Sequence, residues 1–478
     1  MTKVRTRFAP SPTGYMHVGN LRSALYAYLF ARQNKGTFIL RIEDTDLERF
    51  VPGAVDVIYN TLKAAGITID EGPNEGGAYG PYVQSERKEI YLKHAKELIA
   101  KGVAYYCFCD KERLASIKDE KGVARYDKHC LKLTKAEVEA RLKSGMPYVI
   151  RQNMPNEGTS EFDDMVFGHI TINNDELEDH VLIKSDGMPT YNFANVIDDH
   201  LMQITHVIRG NEYLSSTPKY NLLYEAFGWK IPQYMHLTPI MKDETRKLSK
   251  RHGDANFDDF INKGYLSEAI INYIALLGWS PKGTEEKFTL GELIEKFSVS
   301  GLTRSPSIFD ENKMKWLNGE YIKELSFEEF MQFALPYFEK SKIKGLYDYQ
   351  KFGKLLHTRI EIFSEIPEKV EFITEFNPIP KEMYEIKKFK LNGGLAKRVI
   401  EESITAFSAL ENWDETGLRE TITELAAKME LKAAAVYTVL RIALTGHNVT
   451  PGGSVEMADI LGKEQSIMRL NKAKAWLE

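Results

Sequence analysis

The sequence predicts an α/β protein with a split parallel sheet, an inserted α+β region and an all-α C-terminal region. Three observations support this prediction. A strand, a loop, a helix and a second strand follow one another within residues 4–42, and a similar succession occurs at 204–241. After residue 255 strand-like patterns fade and helical spacing of apolar residues dominates.

The first succession begins with a predicted strand at Val4–Phe8, which the proline-rich stretch Ala9–Gly14 ends. Helical spacing runs from His17 to Lys35, and the apolar run Thr37–Ile42 is typical of a strand buried on both faces. This order predicts a βαβ unit and therefore a parallel sheet. Ligands bind beyond the carboxyl ends of such strands, so we expect Ala9–Gly14 and Glu43–Asp46 at one edge.

The second succession consists of a strand at Ile204–Ile208, a helix at 216–228 and a strand at Tyr234–Met241. Between the two successions the pattern is mixed, which predicts an insertion into the sheet domain. The predicted domains are 1–104 (first half of the sheet domain), 105–190 (insertion), 191–240 (second half), 241–325 (a region with a basic loop) and 326–478 (helical).

The composition bounds the class of protein. With 478 residues, 43% of them hydrophobic and 27% charged, the chain is long enough for several well-packed domains. The absence of a leader and of a long apolar run predicts a cytoplasmic protein that is not in a membrane. Three cysteines exclude a disulfide scaffold, and a net charge of −5 argues against non-specific coating of nucleic acid.

The loop before the first helix has features of an anion site. Its prolines stiffen the strand exit and its glycines let the backbone approach a ligand closely. His17 and Asn20 fall at the helix N-terminus, where free amides and the helix dipole favour phosphate. The sequence has neither a Walker A loop nor a dinucleotide fingerprint here. An ordinary strand-to-helix loop is the alternative.

A strongly basic loop, Arg246–Gly253, follows the last predicted strand of the second half. A run of Lys and Arg is often a solvated turn. Lysines two residues apart on either side of a serine can also surround a polyphosphate, and the position after a strand of the sheet favours that interpretation.

Together the two segments resemble the two signature motifs of class I aminoacyl-tRNA synthetases, at His17–Asn20 and Lys247–Arg251. The resemblance implies a Rossmann-like nucleotide-binding fold, ATP with Mg²⁺ as cosubstrate, and catalytic roles for His17, Lys247 and Lys250. His17 would hydrogen-bond the phosphates, and Lys250, assisted by Lys247, would stabilise the departing pyrophosphate. The last residue of each motif departs from the class pattern, so neither Asn20 nor Arg251 is assigned acid–base chemistry.

Four further segments resemble glutamyl-tRNA synthetases of the bacterial type: 7–14, 41–46, 189–200 and 207–212. The resemblance implies a monomer that binds L-glutamate, ATP and tRNA(Glu), with the acceptor end on 105–190, the stem on 241–325 and the anticodon on 326–478. The residues it implies for glutamate are Arg7, Ala9, Ser11, Glu43, Tyr191, Asn195 and Arg209. Those implied for ATP are Thr13, His17, Asn20, Glu212 and Lys250.

The chemistry of these residues suits glutamate. Arg7 and Arg209 can donate to carboxylates, and Glu43 can accept from an ammonium group. A desolvated Arg209 without its carboxylate would cost about 3–5 kcal/mol, which selects glutamate over glutamine. Asp198 and Asp199 are predicted to support the fold by hydrogen bonding. The alternatives are a glutaminyl-tRNA synthetase, a short glutamyl-queuosine enzyme, and a non-catalytic zinc-bearing RNA-binding protein.

All three cysteines, Cys107, Cys109 and Cys130, lie close together in the insertion. Such clustering predicts a structural zinc site rather than separate buried thiols, which are the alternative. A fourth ligand would come from Tyr126, Asp127 or His129. Some members of the family have Cys-x-Cys followed by Tyr-x-x-x-Cys, so the resemblance implies Tyr126.

Overall fold

The computed structural model describes residues 3–46, 51–117, 126–248 and 256–477. The chain packs as two compact units. The first comprises Met1–Ile261 and Ser267–Asp310, and the second comprises Asn262–Leu266 and Glu311–Glu478. The bounds of the five predicted domains stay predictions. Within the described ranges, each helix is too short or too polar to cross a membrane.

Among the residues that the structure describes, every strand belongs to the first unit. Within the described residues they are β1 (Arg5–Phe8), β2 (Thr37–Leu40), β3 (Ala104–Cys107), β4 (Val149–Gln152), β5 (Thr159–Asp164), β6 (Gly168–Asn173), β7 (Val181–Ile183), β8 (His206–Gly210), β9 (Gln233–Leu237), β10 (Ile240–Met241) and β11 (Ser307–Ile308).

The helices up to residue 310 are α1 (Val18–Gln33), α2 (Ala54–Ala64), α3 (Lys88–Ala100), α4 (Lys111–Ser116), α5 (Lys135–Lys143), α6 (Tyr191–Leu201), α7 (Thr217–Phe227), α8 (Phe257–Asn262), α9 (Ser267–Leu276) and α10 (Leu290–Lys296). Their ends follow local sequence signals. Thr134 and Thr289 form capping boxes at the starts of α5 and α10, and Gly228, with φ 73°, ends α7.

The split parallel sheet is confirmed. β1 pairs in parallel with β2, and β8 pairs in parallel with β9. The two halves meet where the Thr205 amide, just before β8, donates to the Arg5 carbonyl at 3.0 Å. All four residues of β2 are buried, as the continuous apolar run predicts. Helix α1, between β1 and β2, is buried on most of its circumference.

The insertion contributes two antiparallel elements. β3, β4 and β7 form a small sheet of their own. β5 and β6 form a hairpin, and Asp164, the last residue of β5, pairs with Tyr234 of β9. This pairing attaches the hairpin to the second half of the split sheet, so Asp164 lies beside the strand that follows β8.

The second unit is helical in its described residues, which confirms the predicted all-α C-terminal region. Its helices are α11 (Glu311–Glu324), α12 (Phe327–Phe338), α13 (Tyr349–Leu356), α14 (Ile366–Glu371), α15 (Gly393–Ala409), α16 (Glu415–Lys428), α17 (Ala433–Thr445) and α18 (Ser454–Trp476). Side chains of Ser326, Asn392 and Asp414 cap α12, α15 and α16. Helix α18 is kinked at Gly462, whose φ is 75°.

Candidate active site

A cavity of about 640 Å³ opens at the carboxyl ends of β1 and β8, the edge where parallel sheets bind ligands. The loop after β1, the start of α1 and the hairpin after β10 form its other walls. The predicted site residues that line it are Arg7, Ala9, Ser11, Thr13, His17, Asn20, Glu43, Tyr191, Arg209, Glu212 and Lys247. Segments far apart in sequence therefore surround one space.

One residue predicted to bind glutamate stands apart from this lining. Asn195 is 2% exposed and does not line the cavity; its amide Nδ2 donates to the Tyr191 carbonyl at 2.7 Å, one helical turn earlier. Its contact in the structure is thus with the helix backbone beneath a residue of the cavity wall. Lys250 lies outside the described residues.

His17 is the N-cap of α1. Its backbone is extended, and its Nδ1 accepts the Gly19 amide proton at 3.0 Å. A neutral imidazole that accepts at Nδ1 carries its proton on Nε2. The ring is therefore held at the positive end of the helix in the form that donates a hydrogen bond from Nε2, which suits a phosphate oxygen.

The basic hairpin reaches the same cavity. After β10 the Lys242 amide donates to the Arg246 carbonyl at 2.8 Å, and Lys247 and Leu248 line the cavity. On the far side of 249–255, Asn256 forms an antiparallel bridge with His17. The described residues on either side of 249–255 therefore lie beside the predicted histidine motif.

Arg209, at the end of β8, lies in an aromatic and polar cradle. Its guanidinium carbon is 5.0, 4.8 and 5.5 Å from the ring centres of Tyr213, Tyr220 and Tyr234. Arg209 Nε donates to His236 Nε2 at 3.1 Å. With 6% of its surface exposed, the side chain presents its charge to the cavity from a buried position.

Arg7, on β1, is held by Asp199. Its Nε and Nη2 donate to the two carboxylate oxygens at 3.0 and 3.3 Å, which is a two-point pair. Asp199 also accepts from Arg41 Nη1 at 2.8 Å. Burial disfavours the charged form of Asp199, but the charges of Arg7 and Arg41 outweigh burial and lower its pKa. Asp199 thus occupies one edge of the Arg7 guanidinium, and Nη1 donates to the Ile208 carbonyl at 3.3 Å.

Glu43 is buried beside Arg41. The described contacts of its carboxylate, from Arg41 and Gln84, all use Oε1, so a cation could approach Oε2 without displacing these partners. Burial raises the pKa of Glu43 despite the nearby charges of Arg41 and Arg7. A cation that enters the cavity would favour the charged form.

The prediction that Asp198 and Asp199 support the fold is confirmed. Asp198 accepts from Gln84, Arg87 and Tyr91 at 2.8, 2.7 and 2.8 Å. Three arginines and three carboxylates form this buried cluster, and the opposite charges balance: Arg7, Arg41, Arg87, Glu43, Asp198 and Asp199.

Sequence reasoning missed His236, Asp164 and Thr217, which contact Arg209 directly or through one another. His236 lies within an apolar strand, where a single histidine gives no signal of function. Asp164 follows another aspartate at the end of a hairpin strand, a pattern typical of turns. Only the pairing of β5 with β9 brings them together.

The three cysteines meet in the insertion. Their sulfur atoms lie within 4.8 Å of one another, and Cys109 and Cys130 are 3.5 Å apart. The Tyr126 hydroxyl is 3.2 Å from Cys107 Sγ and 3.6 Å from Cys109 Sγ. In a tetrahedral zinc site with bonds of about 2.3 Å to sulfur, neighbouring sulfurs are about 3.8 Å apart. The four side chains therefore fit such an ion.

The cavity thus presents arginines and a carboxylate at one end, and a helix N-terminus with a lysine at the other. It can hold a small zwitterion with an extra negative charge beside a polyphosphate. The fold and cavity are those of the class I aminoacyl-tRNA synthetases. Residues 3–316 match the family model "tRNA synthetases class I (E and Q), catalytic domain", and 328–474 match an anticodon binding domain.

Individual relatives narrow the class. The glutamate–tRNA ligases of Clostridium novyi and Clostridium tetani are each 56% identical to this chain over 98% of its length and 97% and 96% of theirs. A crystal structure of glutamate-tRNA synthetase from Elizabethkingia anophelis has a TM-score of 0.90 at 35% identity, covering 99% of this chain and 100% of that one. The chain belongs to the glutamate–tRNA ligase family.

A second solved structure supports this membership. The glutamate tRNA ligase from Elizabethkingia meningosepticum, crystallised in complex with its amino acid, has a TM-score of 0.88 at 35% identity and covers 100% of both chains. The family membership that the motifs indicated is thereby confirmed, and the similarity covers the full length of the chain.

Proposed function

We propose that this protein attaches L-glutamate to tRNA(Glu) in two steps at the cavity. In the first step the α-carboxylate oxygen of glutamate attacks the α-phosphorus of ATP, and pyrophosphate leaves. In the second step a terminal ribose hydroxyl of tRNA attacks the carbonyl carbon of the adenylate, and AMP leaves. The observation that carries the proposal is the placement of Arg209 and Arg7 on one cavity with His17 and Lys247.

The residues at one end of the cavity hold glutamate. Arg209 binds the side-chain carboxylate, because its buried charge needs an anion that an amide does not supply. Glu43 accepts from the ammonium group, and the remaining protons of Arg7 face the substrate. Ala9, Ser11 and Tyr191 shape this end, and Asn195 fixes the backbone of Tyr191.

The residues at the other end hold ATP. His17 donates to phosphate from Nε2, while Thr13, Asn20 and Glu212 contact the nucleotide. Lys247 and Lys250 stabilise the charge that develops on the departing pyrophosphate. Bound Mg²⁺ would neutralise phosphate oxygens of ATP. Because the reaction needs no protein nucleophile, positioning and charge stabilisation are the contributions of these side chains.

Cys107, Cys109, Tyr126 and Cys130 hold a structural zinc ion in this proposal. The support is the clustering of three sulfurs and one phenol oxygen at distances that suit a closed tetrahedral site. The ion would stabilise the insertion, which we assign to the acceptor end of tRNA. The helical second unit reads the anticodon. Monomeric state and cytoplasmic location stay predictions.

The test is charging of purified tRNA(Glu) and tRNA(Gln), each with labelled glutamate and with labelled glutamine. We expect glutamate on tRNA(Glu), dependent on ATP, and pyrophosphate exchange that requires glutamate. Charging with glutamine would instead identify a glutaminyl-tRNA synthetase. Binding of tRNA with neither charging nor exchange would identify a non-catalytic RNA-binding protein.

A further inference from the structure

A buried chain of three side chains runs from the β5–β6 hairpin to the cavity. Asp164 Oδ2 lies 2.7 Å from His236 Nδ1, and His236 Nε2 accepts from Arg209 Nε at 3.1 Å. The side chains of Asp164 and His236 are 0% exposed. These three side chains lie on the neighbouring strands β5, β9 and β8, and the last of them is the guanidinium that lines the cavity.

The hydrogen bonds determine the tautomer of His236. Arg209 Nε can only donate, so His236 Nε2 must accept and carries no proton. The proton is then on Nδ1, where the Asp164 carboxylate accepts it. Asp164 is anchored in turn, because its Oδ1 accepts the amide protons of Val166 and Phe167 at 2.9 and 2.8 Å. Each member of the chain is therefore oriented by the one before it.

The same edge of Arg209 has a second acceptor. Nη2 donates to Thr217 Oγ1 at 3.0 Å, while the Thr217 hydroxyl donates to the Tyr213 carbonyl at 2.9 Å. His236 and Thr217 thus occupy the Nε and Nη2 side of the guanidinium. These two bonds use two of its five protons, and the remaining protons belong to the end that a carboxylate can bind at two points.

We propose that His236 and Asp164 are positioning residues for glutamate specificity: together they fix the rotation of Arg209 so that its free end meets the side-chain carboxylate of the substrate. This inference rests on the proposed function, since it gives Arg209 its ligand. Neither residue touches the substrate in this proposal. They act through the direction in which the guanidinium points.

The electrostatics agree with a neutral imidazole in this position. Burial lowers the pKa of His236, and the charge of Arg209 lowers it further, against the opposing hydrogen bond to Asp164. A protonated ring would place a donor against the Arg209 Nε proton and break the contact. A neutral ring keeps one acceptor towards Arg209 and one donor towards Asp164.

Two substitutions at position 236 separate positioning from packing. In His236→Gln the amide can reach the place of Nε2 and still accept from Arg209. In His236→Asn the shorter amide can still donate to Asp164 but does not reach Arg209. In Asp164→Asn, the amide oxygen still accepts from the Val166 and Phe167 amides, so Nδ2 faces His236 Nδ1. Because Nδ2 donates, His236 Nδ1 must accept, and the ring proton moves to Nε2.

The measurements are kcat and KM for glutamate and for glutamine in tRNA charging by the full chain, together with KM for ATP. For His236→Asn and Asp164→Asn we expect KM for glutamate to rise and the preference for glutamate to fall by about ten- to a hundredfold, the range for a lost hydrogen bond to a charged group. We expect a smaller change in kcat, an unchanged KM for ATP, and recovery of most of the preference in His236→Gln.

Matched controls come from the neighbouring positions. His206→Asn alters a partly buried histidine of β8 that bonds Thr205 at 2.8 Å, and Asp163→Asn alters the exposed carboxylate beside Asp164. Both are expected to keep the wild-type preference. A purely structural role for His236 and Asp164 would lower the melting temperature and leave KM for glutamate and the preference within twofold of wild type, which would overturn the proposal.

Selective ¹⁵N-histidine NMR of the wild-type protein tests the tautomer without a variant, so misfolding of a variant does not block the test. A protonated Nδ1 and an unprotonated Nε2 are expected for His236. The other tautomer or an imidazolium overturns the proposal. If the wild-type protein charges glutamate and the variants keep its preference, this inference alone is overturned. If the wild-type protein does not charge glutamate, both the proposed function and this inference are overturned.

Discussion

His17 and Asn256 pair in an antiparallel β-bridge. The amide of Phe257, the residue after Asn256, also donates to the Met16 carbonyl at 3.2 Å. These contacts tie the start of α1 to the chain just beyond the lysine motif. Backbone pairing therefore joins the first signature motif to the chain that follows the second.

Substitution of the lysines of the second signature motif should slow adenylate formation. Lys247→Ala and Lys250→Ala each remove a positive charge that would stabilise the departing pyrophosphate. We expect the rate of adenylate formation to fall about a hundredfold or more. Because Lys247 is exposed, its replacement should leave the melting temperature unchanged. Single-turnover adenylate formation measures the rate. Lys242→Ala, in the same hairpin, is the control, and wild-type kinetics in Lys247→Ala would remove that lysine from the phosphate site.

Arg209→Ala should lose the preference for glutamate over glutamine by about two to three decades, because a buried guanidinium without its carboxylate costs about 3–5 kcal/mol. The ratio of kcat/KM for the two amino acids measures the preference. Arg5→Ala is the matched control. Arg5 lies on β1, two residues before Arg7; it pairs with Glu71 at 2.8 Å and does not line the cavity. If Arg209→Ala keeps the preference, another residue recognises the side chain.

Asp199→Asn should destabilise the fold by about 3–5 kcal/mol at neutral pH, because Arg7 and Arg41 lose a shared buried carboxylate. Urea unfolding measures the loss. Glu285→Gln, which breaks the exposed pair with Lys296, should cost about 0–1 kcal/mol. Equal small losses in the two variants would contradict the importance of the buried cluster.

The same carboxylate predicts a pH dependence. The pKa of Asp199 is lowered in the folded protein from its ordinary value of 3.8. Its contribution to the free energy of unfolding is therefore fully present above pH 3.8. The contribution is lost as the pH falls below 3.8 and through the folded pKa. The stability difference between wild type and Asp199→Asn should therefore shrink in that acid range. A difference that stays constant down to acid unfolding would argue against this assignment.

Purified protein should contain one zinc ion per chain, measured by mass spectrometry of the metal. Cys130→Ala should lose the ion, because a thiolate is removed from a closed site. His129→Ala should retain it, since this histidine is exposed beside Cys130 and outside the cysteine cluster. Full metal content in Cys130→Ala, or zinc loss in His129→Ala, would require a different ligand set.

Binding of tRNA should weaken steeply with salt while binding of ATP changes less. A protein that makes six or more phosphate contacts loses about a thousandfold in affinity between 50 and 200 mM salt. Fluorescence titration at several salt concentrations gives both slopes. Equal salt sensitivity of the two ligands would count against an extended tRNA surface on this chain.

Local sequence patterns predicted several of the elements, including those of the first βαβ unit. The apolar run at Thr37–Ile42 and the helical spacing after His17 predicted β2 and α1, and the structure confirms both. These predictions succeed because strand and helix periodicity, glycines and caps act over a few residues. Motif resemblance extended them to the cavity-lining residues, which local patterns alone do not connect.

Partners of the charged groups were not predictable from local patterns. Arg7 was expected to donate to a substrate carboxylate, and its pairing with the protein's own Asp199 along one edge was not predicted. The glutamate-binding role of Asn195 stays a prediction, and local patterns did not show that its amide donates to the Tyr191 carbonyl. Such pairings depend on how strands and helices pack, and a buried charge takes the partner that packing brings within reach.

By itself the sequence determined which segments form strands and helices, the two motifs of the class, and the residue types that suit a doubly acidic amino acid. Only the tertiary structure decided that His236 and Asp164 stand behind Arg209, and that Asn256 pairs with His17. The physical reason is range: periodicity and capping are set by neighbours in the chain, whereas these contacts are set by the order and register of strands that the chain reaches many residues apart.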